Sequence, residues 1–245
     1  MIDVNVHLSR WPFRRLPADE PSALVALLKK HGVTEAWTGS FDGLFHKDLA
    51  GVNSRLATDC EPFRGFLRPF GSVNPMLPGW EDDLRRIQEV HRMAGIRLHP
   101  NYHGYTLKDA VTGQLLSAAA KRGLAVQLVL AMEDERTQYP LLRVTPVDPE
   151  PLRDLLPTIP GLKLMLLNAS HGAPRVRGAY CDFAMLESPY AVQNLTQAVG
   201  EDHVVFGSHS PLFYFSSAAF KLKESGFGER QARAIAESNA RRFSS

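Results

Sequence analysis

The sequence has few cysteines, and it lacks a long hydrophobic run, a long basic block and any low-complexity segment. Its two cysteines, Cys60 and Cys181, are isolated among 245 residues and form no CxxC pair. This spacing disfavours a disulfide framework or a cysteine-based metal site. A free, buried cysteine behaves as a small apolar side chain, so we expect a structural role for both residues.

The missing hydrophobic and basic runs also limit the partners of the chain. No stretch approaches the 18 or more apolar residues of a membrane span. The N-terminus enters a strand-like run without a basic and then apolar leader, so a cytoplasmic location without a membrane partner is expected. The formal net charge is only +2, and no long basic block is interleaved with aromatic residues. Nucleic acid is therefore not an expected partner.

Short apolar runs alternate along the chain with helix-like segments, and this alternation predicts a parallel α/β sheet. The predicted strands cover residues 2–7, 34–40, 65–73, 95–99, 124–131, 162–167, 179–185 and 203–208. The predicted helices cover residues 21–31, 47–60, 80–93, 107–122, 148–156, 189–199, 211–224 and 229–243. Residues 168–178 show no helical period and are predicted to form a loop.

Eight strands with following helices in this length favour a single (β/α)8 TIM barrel over residues 1–245, with 229–243 as an extra C-terminal helix. No linker divides the chain, although its length alone would also suit two small domains. In such a barrel the chemistry lies at the C-terminal ends of the strands. The polar residues predicted there are Asn5, His7, Ser40, Asp42, Asn74, His99, Gln127, Asn168, Glu187 and His209.

Several of these polar residues need no function, because strand ends meet water and loops begin with polar side chains. His7 is a stronger candidate, since it alternates with Val6 along the strand and therefore points into the barrel mouth. His209 stands between Gly-Ser and Ser-Pro at the end of the last predicted strand. We predict both histidines as catalytic residues.

Four segments occur in an order and spacing that resemble the amidohydrolase-related family of metal-dependent hydrolases. They are Asp3-X-Asn5-X-His7, Gly95-Ile96-Arg97-Leu98-His99-Pro100, the run 162–168 ending in Asn168, and Gly207-Ser208-His209-Ser210-Pro211. The closing Asn239-Ala240-Arg241-Arg242-Phe243 also resembles that family. The resemblance implies a TIM barrel and either a hydrolase or, as in some relatives, a non-oxidative decarboxylase.

The resemblance also implies positions for metal ligands, most of which carry other residue types here. The family positions read Asn5, His7, Val129, Asn168 and His209, where typical members have histidines and a final aspartate. A shift of two residues along the fifth strand would put Gln127 or Ala131 in place of Val129. Carboxamide oxygens are poor zinc ligands, and the missing aspartate removes an anionic ligand and a general base. A three-ligand site would need another carboxylate, such as Glu187 or Asp42. We predict one divalent metal, zinc by preference, that is weakly held or absent, with His209 as a replacement base.

Further candidates for substrate binding lie beside the predicted mouth. The resemblance makes His99 a pocket residue, and Gln127 points from the fifth strand. Arg136 could hold a carboxylate or phosphate, or it could pair with Glu133 or Glu135 in a solvated loop. Trp11 lies in the basic aromatic segment 10–15, which suits an anionic or aromatic ligand, a cap on the barrel or a homodimer interface.

Three functional hypotheses follow from the sequence. The first is an enzyme, a hydrolase or decarboxylase of a small anionic molecule, with a rearranged metal site or with His7 and His209 as a metal-free acid and base. The second is a catalytically inactive barrel that binds a small anionic ligand at the same mouth. The third is an assembly role for segment 10–15. The resemblance favours the enzyme.

Overall fold

A parallel β-sheet forms the centre of the protein, and it is seen in a computed structural model that describes residues 1–170 and 176–245. Its seven strands follow one another in chain order, each paired in parallel with the next. They are β1 (Ile2–Leu8), β2 (Glu35–Ser40), β3 (Leu67–Ser72), β4 (Gly95–Leu98), β5 (Ala125–Val129), β6 (Leu164–Leu167) and β7 (Tyr180–Cys181). The predicted parallel α/β sheet is therefore confirmed.

Helices connect and cover these strands, as expected of parallel neighbours that need crossover connections. The α-helices of the described residues are α1 (Pro21–Lys30), α2 (Asp42–Phe45), α3 (Leu49–Cys60), α4 (Trp80–Glu89), α5 (Pro100–His103), α6 (Ala110–Lys121), α7 (Leu152–Leu155), α8 (Ala191–Val199), α9 (Phe215–Glu224), α10 (Glu229–Arg233) and α11 (Asn239–Ser244). Single 3₁₀ turns cover Glu61–Phe63, Leu156–Thr158 and Glu201–His203, and a π-helical turn, Ala234–Ser238, joins α10 to α11.

The helices pack through apolar faces that the sequence spacing already defines. In α4 the buried residues are Trp80, Leu84 and Ile87, which are spaced by four and three positions and so lie on one side of the helix. Each such side chain contributes about 1.5–3 kcal/mol when it is fully removed from water. None of the helices in the described ranges is long and apolar enough to cross a membrane.

The predicted seventh strand, residues 179–185, is a β-strand over only two residues in the structure. β7 ends at Cys181. The backbone N–H of the next residue, Asp182, still donates to the Leu166 carbonyl of β6 at 3.2 Å, and its carboxylate accepts a hydrogen bond from the backbone N–H of Asn168. The predicted loop at 168–178 lies partly outside the described residues. The predicted helix 148–156 is reduced to α7, since Pro149 and Pro151 restrict the backbone before it and lack N–H donors.

The predicted eighth strand is not a regular strand in the structure. Val204 and Ser210 form single parallel bridges to β7 and β1. Between these bridges the backbone N–H of Phe206 donates to the Ile235 carbonyl, and that of Ser208 donates to the Asp3 carboxylate. Because these donors turn away from the strand ladder, residues 204–210 contact both edges of the sheet without continuous pairing.

A register irregularity between Asp3 and Val6 of β1 prepares the functional edge of the sheet. Ile2 and Val4 pack in one buried apolar cluster, whereas Val6 and Leu8 pack in the other. A strand without a bulge would keep all four on the same face. The irregularity therefore re-aims the second half of β1, which carries His7.

Candidate functional site

Polar side chains that are almost completely removed from solvent meet at the carboxyl ends of the strands. At most 1% of the surface of each is exposed, and the set comprises Asp3, Asn5, His7, Arg97, His99, Gln127, Asn168, Asp182, Ser208 and His209. Burying a polar group is costly unless it finds a hydrogen-bond partner. The contacts within this cluster therefore determine what each group can still offer to a ligand.

Two carboxamides and one carboxylate form the best-connected part of the cluster. Asn5 Nδ2 donates to Asn168 Oδ1 at 2.7 Å and to Asp182 Oδ2 at 2.6 Å. The backbone N–H of Asn168 donates to Asp182 Oδ1 at 2.8 Å. Burial raises the pKa of Asp182 to about 6, against the hydrogen bonds from Asn168 and Asn5 that lower it. Gly207 leaves room for this contact, since a Cβ there would lie 2.4 Å from Asp182 Oδ2.

A second buried carboxyl lies on β1. Asp3 Oδ1 accepts the backbone N–H groups of Asn5 at 3.1 Å and Ser208 at 3.0 Å. Its other oxygen, Oδ2, has no partner among residues 1–170 and 176–245. Burial raises the pKa of Asp3 to about 7, although the hydrogen bonds from Ser208 and Asn5 oppose this shift. Both carboxyls can therefore hold a proton near neutral pH.

The guanidinium of Arg97 lies fully buried beside these groups. Its Nε donates to Gln127 Oε1 at 2.9 Å, and Nη1 donates to the Val6 carbonyl at 2.7 Å. Nη2 donates to the carbonyls of Trp37 at 3.1 Å and Val4 at 3.3 Å. Burial lowers the pKa of Arg97 to about 9, and attraction to Asp182 and Asp3 opposes this. The arginine is thus a fixed cation at neutral pH.

His7 lies directly against this cation. Its Nε2 is 3.1 Å from Arg97 Nη1, and its ring stacks on Phe41 with a centroid distance of 4.7 Å. His209 approaches it edge-on, at 5.2 Å between ring centroids. Burial, then the charge of Arg97, then His209 and His99 hold the pKa of His7 well below its usual range. His7 is therefore a neutral imidazole in the native state.

His209 is held from two sides and is also neutral. Its Nε2 lies 2.8 Å from the Met132 carbonyl, and the Asn168 amide nitrogen lies 3.3 Å from its Nδ1. Burial lowers the pKa of His209 to about 4, although the hydrogen bond to Met132 favours the charged form. Both Asn168 and His209 have positive φ angles, 61° and 59°, a conformation that asparagine tolerates better than histidine. This backbone places the two side chains in contact.

His99 differs from the other histidines because neither ring nitrogen has a partner within the described ranges. Burial, then the neighbouring His103, then Arg97 and His209 hold its pKa well below the usual range. A narrow cavity between His99 and Met132 has room for about one water molecule. The imidazole therefore borders a space that is large enough for about one water molecule.

The mouth above this cluster is covered by two segments, residues 9–19 and 132–147. Phe13 stacks on Tyr139 at 5.3 Å and 12° between ring planes. Arg14 Nη1 lies 2.7 Å from Glu133 Oε1, whose side chain is only 4% exposed. Trp11 is buried beneath and packs edge-on against Phe41. The two segments together close the mouth over His7 and His209.

We expect the Arg14→Gln variant to loosen this cover, because Glu133 would lose its cationic partner while staying nearly buried. Hydrogen exchange of the backbone amides in segment 132–147 should then be faster than in the wild type. The matched control is Arg15→Gln, since Arg15 pairs with Asp19 within its own segment. Equal exchange rates in both variants would contradict the role of the Arg14–Glu133 pair in closing the mouth.

The family resemblance implies a divalent metal, and the donor atoms of the cluster do not fit one. Arg97 can only donate, so His7 Nε2 must accept from it, and its lone pair is not free for a metal. The Oδ1 of Asn168 and both oxygens of Asp182 already accept hydrogen bonds. Within residues 1–170 and 176–245 the cluster atoms without a partner are Asn5 Oδ1, Asp3 Oδ2, His7 Nδ1 and the two ring nitrogens of His99. No three His, Cys, Asp or Glu side chains of these residues are arranged to hold a metal ion. A carboxamide oxygen alone is a weak ligand for zinc.

The structure brings together most of the residues that the sequence nominated. Asn5, His7, Asn168, His209 and His99 all lie in the cluster, where their roles remain predictions. Gln127 is buried below them, with its amide nitrogen 2.9 Å from the Val4 carbonyl. The remaining nominated residues lie as follows: Trp11 in the cover of the mouth, Val129 in an apolar cluster, and Asp42, Arg136 and Glu187 outside the buried polar cluster.

Arg136 is the residue whose observed location differs most clearly from its predicted place at the site. Its side chain is 82% exposed and pairs with Asp134, two residues earlier, rather than with Glu133 or Glu135. The sequence patterns alone assign no role to Arg97 or Asp182. The available signal was a charged residue inside each of two strongly apolar runs, where an unpaired charge is costly.

Comparison with known proteins places this geometry in a family. The chain matches the family described as Amidohydrolase (Amidohydro_2) over residues 2–243, and it belongs to that family. The recognition from the four sequence segments is thereby confirmed. A search of curated protein sequences found no match.

Solved structures of similar fold share little sequence with this chain. A dihydroxybenzoic acid decarboxylase from Polaromonas sp. JS666, with bound manganese and the inhibitor 2-nitroresorcinol, has 13% identity and a TM-score of 0.74, with 99% of this chain and 96% of that chain covered. The 2,6-dihydroxybenzoate decarboxylase from Rhizobium has 13% identity, a TM-score of 0.72 and coverages of 90% and 87%. The 5-carboxyvanillate decarboxylase from Sphingomonas paucimobilis has 15% identity, a TM-score of 0.71 and coverages of 89% and 81%. At these identities the likeness shows the fold.

Proposed function

We propose that this protein is an enzyme that removes carbon dioxide from a small anionic aromatic acid without oxidation. The observation that carries the proposal is the buried set of neutral imidazoles, His7, His99 and His209, next to the fixed cation Arg97. We assign residues 204–210 to the position of the eighth strand in a closed (β/α)8 barrel, since they contact both β7 and β1. The site then lies at the barrel mouth, where TIM-barrel enzymes act.

A positive charge in a dry site favours an anionic substrate. The charge of Arg97 is weakly screened because the cluster is buried, so it attracts a carboxylate without having to contact it. Loss of carbon dioxide spreads the carboxylate charge into the rest of the molecule, and a low-polarity site assists that change by withholding water. The manganese-bound dihydroxybenzoic acid decarboxylase was crystallised with an aromatic inhibitor, which supports the substrate class.

When the carboxylate leaves as carbon dioxide, the carbon that carried it must gain one proton. The reaction balances as carboxylate plus proton giving the aromatic product and carbon dioxide, without an oxidant or reductant. We assign His209 and His7, whose rings meet edge-on, to hold the substrate and to pass this proton. We assign His99, which borders the small cavity, to return a proton through a water molecule held there.

Hydrolysis by a metal-activated water is less well supported. Such a reaction needs a ligand set for the metal or a free general base beside the water. Within the described residues no three His, Cys, Asp or Glu side chains are arranged to hold a metal, and Nε2 of His209 is bound to the Met132 carbonyl. The donor set also gives no support to zinc in particular.

We expect His7→Ala and His209→Ala each to lower turnover at least about 100-fold, the usual effect of losing a positioned acid or base. The measurement is release of carbon dioxide from a panel of hydroxylated benzoic acids, with esters and lactones as the hydrolase comparison. The control is His31→Ala, because His31 is exposed and stacks on Phe215 away from the cluster. Full activity in either active-site variant would overturn the assignment of that histidine.

The second candidate is a catalytically inactive barrel that binds a small anionic ligand. It is favoured by one observation, namely that most polar atoms of the cluster already have internal hydrogen-bond partners. Calorimetric titration with the same benzoic acids separates the two functions. Binding without turnover of any member of the panel would support the ligand-binding protein.

A further inference from the structure

We propose that the guanidinium of Arg97 takes the place of the metal ion in this site: it occupies Nε2 of His7, fixes the Nδ1–H tautomer of that imidazole, and repels a divalent cation. This goes beyond the proposed function, because tautomer and metal exclusion are properties of the resting protein. They hold whichever reaction the site performs.

The first step of the argument is that Arg97 has no spare donor. A guanidinium carries five N–H groups in a planar fork and accepts nothing. Here Nε–H is used by Gln127, two N–H groups of Nη2 by the carbonyls of Val4 and Trp37, and one of Nη1 by the carbonyl of Val6. The fifth, on Nη1, is used by His7 Nε2. The side chain is therefore held in one position from five directions.

The second step concerns the hydrogen of the imidazole. Because Arg97 can only donate, the nitrogen that faces it must carry a lone pair, and the hydrogen of a neutral ring must then lie on Nδ1. Nδ1 of His7 has no partner within residues 1–170 and 176–245. Stacking on Phe41 prevents the ring from turning away without losing that contact. His7 is thus set as a hydrogen-bond donor at Nδ1.

The third step concerns charge. A divalent ion within reach of His7 would lie several ångströms from a buried unit positive charge, and repulsion in such a site is poorly screened. Asp3 and Asp182 attract Arg97 and compensate part of its charge. The fixed guanidinium and a divalent metal therefore compete for the same surroundings.

The tautomer is tested directly on the wild-type protein. Nitrogen NMR of protein labelled with ¹⁵N-histidine distinguishes a protonated ring nitrogen from an unprotonated one, and His7→Gln assigns the signals. We expect the His7 spectrum of a neutral ring with hydrogen on Nδ1, and a change of that spectrum in Arg97→Lys, whose ammonium lacks the guanidinium fork. Hydrogen on Nε2 of wild-type His7 would overturn the proposal.

Metal exclusion is tested by restoring the residues typical of the family. One variant carries Asn5→His, Asn168→His and His209→Asp with Arg97 kept, and its partner carries the same changes with Arg97→Met. We expect Mn²⁺ and Zn²⁺ to bind the version with Arg97 more weakly, by on the order of 100-fold, as measured by calorimetry and elemental analysis on protein with confirmed circular dichroism. Equal affinities, or stoichiometric metal in the wild type, would refute metal exclusion by Arg97. The activity of His7→Ala and His209→Ala tests the proposed function separately. The comparison of metal affinity with and without Arg97 tests this inference, whatever the activity of those variants.

Discussion

Replacing Arg97 by methionine is expected to lower the free energy of unfolding by at least about 3 kcal/mol, one of the largest effects of any single substitution in this chain. Methionine fills much of the same volume but donates nothing. The carbonyls of Val6 and Trp37 and the side-chain oxygen of Gln127 would each lose a hydrogen bond in a buried place. Asp3 and Asp182 would also lose the cation that attracts them.

Urea unfolding followed by circular dichroism measures this effect. The matched control is Arg68→Met on the neighbouring strand β3, because Arg68 is partly exposed, pairs with Glu35 and lies over Trp37. That loss should stay within about 1 kcal/mol, the range of a surface ion pair. If Arg97→Met were as stable as Arg68→Met, the buried guanidinium would not be a structural element of the barrel.

Replacing Asp3 by asparagine is expected to change how stability depends on pH. Burial raises the pKa of Asp3 from 3.8 to about 7, so the native state binds this proton more tightly than the unfolded chain does. The stability that this group contributes is fully present below pH 3.8 and is lost as the pH rises through about 7. Asparagine keeps Oδ1 as acceptor for Asn5 and Ser208 and has no charge to bury.

Between pH 4 and pH 8, the free energy of unfolding of Asp3→Asn should therefore rise relative to that of the wild type by up to about 4 kcal/mol. This figure follows from the rise in the pKa of Asp3 by about three units. Unfolding is measured across this range for both proteins. The buried histidines have lowered pKa values and oppose folding at acid pH in both, so the difference between the two curves removes their effect. Asp154→Asn, at an exposed position, is the control. Parallel curves for Asp3→Asn and the wild type would show that the native carboxyl ionises without penalty.

The sheet could be predicted from the sequence because it depends on patterns that local physics imposes. β1 to β6 follow apolar runs, and their observed bounds lie within a few residues of the predicted ones. The seventh predicted strand is present but short, and the eighth is not a regular strand for a tertiary reason. The backbone donors of Ser208 and Phe206 are taken by the side chain of Asp3 and by the carbonyl of Ile235, which lie far away in sequence.

The sequence predicts several residues of the candidate site, but it does not predict the contacts between them. Alternation along β1 and the family segments nominate Asn5, His7 and His209, which do lie together. Composition cannot show that Arg97 turns toward His7, because that contact joins residues 90 positions apart. The one signal in the sequence for such a contact is a charged residue inside an apolar strand. The sequence nominates Arg136 for its charge and for its loop after the fifth strand, and charge without burial carries little information about a site.

The closed cover over His7 and His209 has a consequence for the time course of ligand entry. We expect the contacts of Phe13 with Tyr139 and of Arg14 with Glu133 to separate before a molecule larger than water reaches the histidines. Association measured by stopped flow should then rise with ligand concentration and level off at the rate at which the two segments part. That plateau would be one value for every ligand of the series, whatever its final affinity.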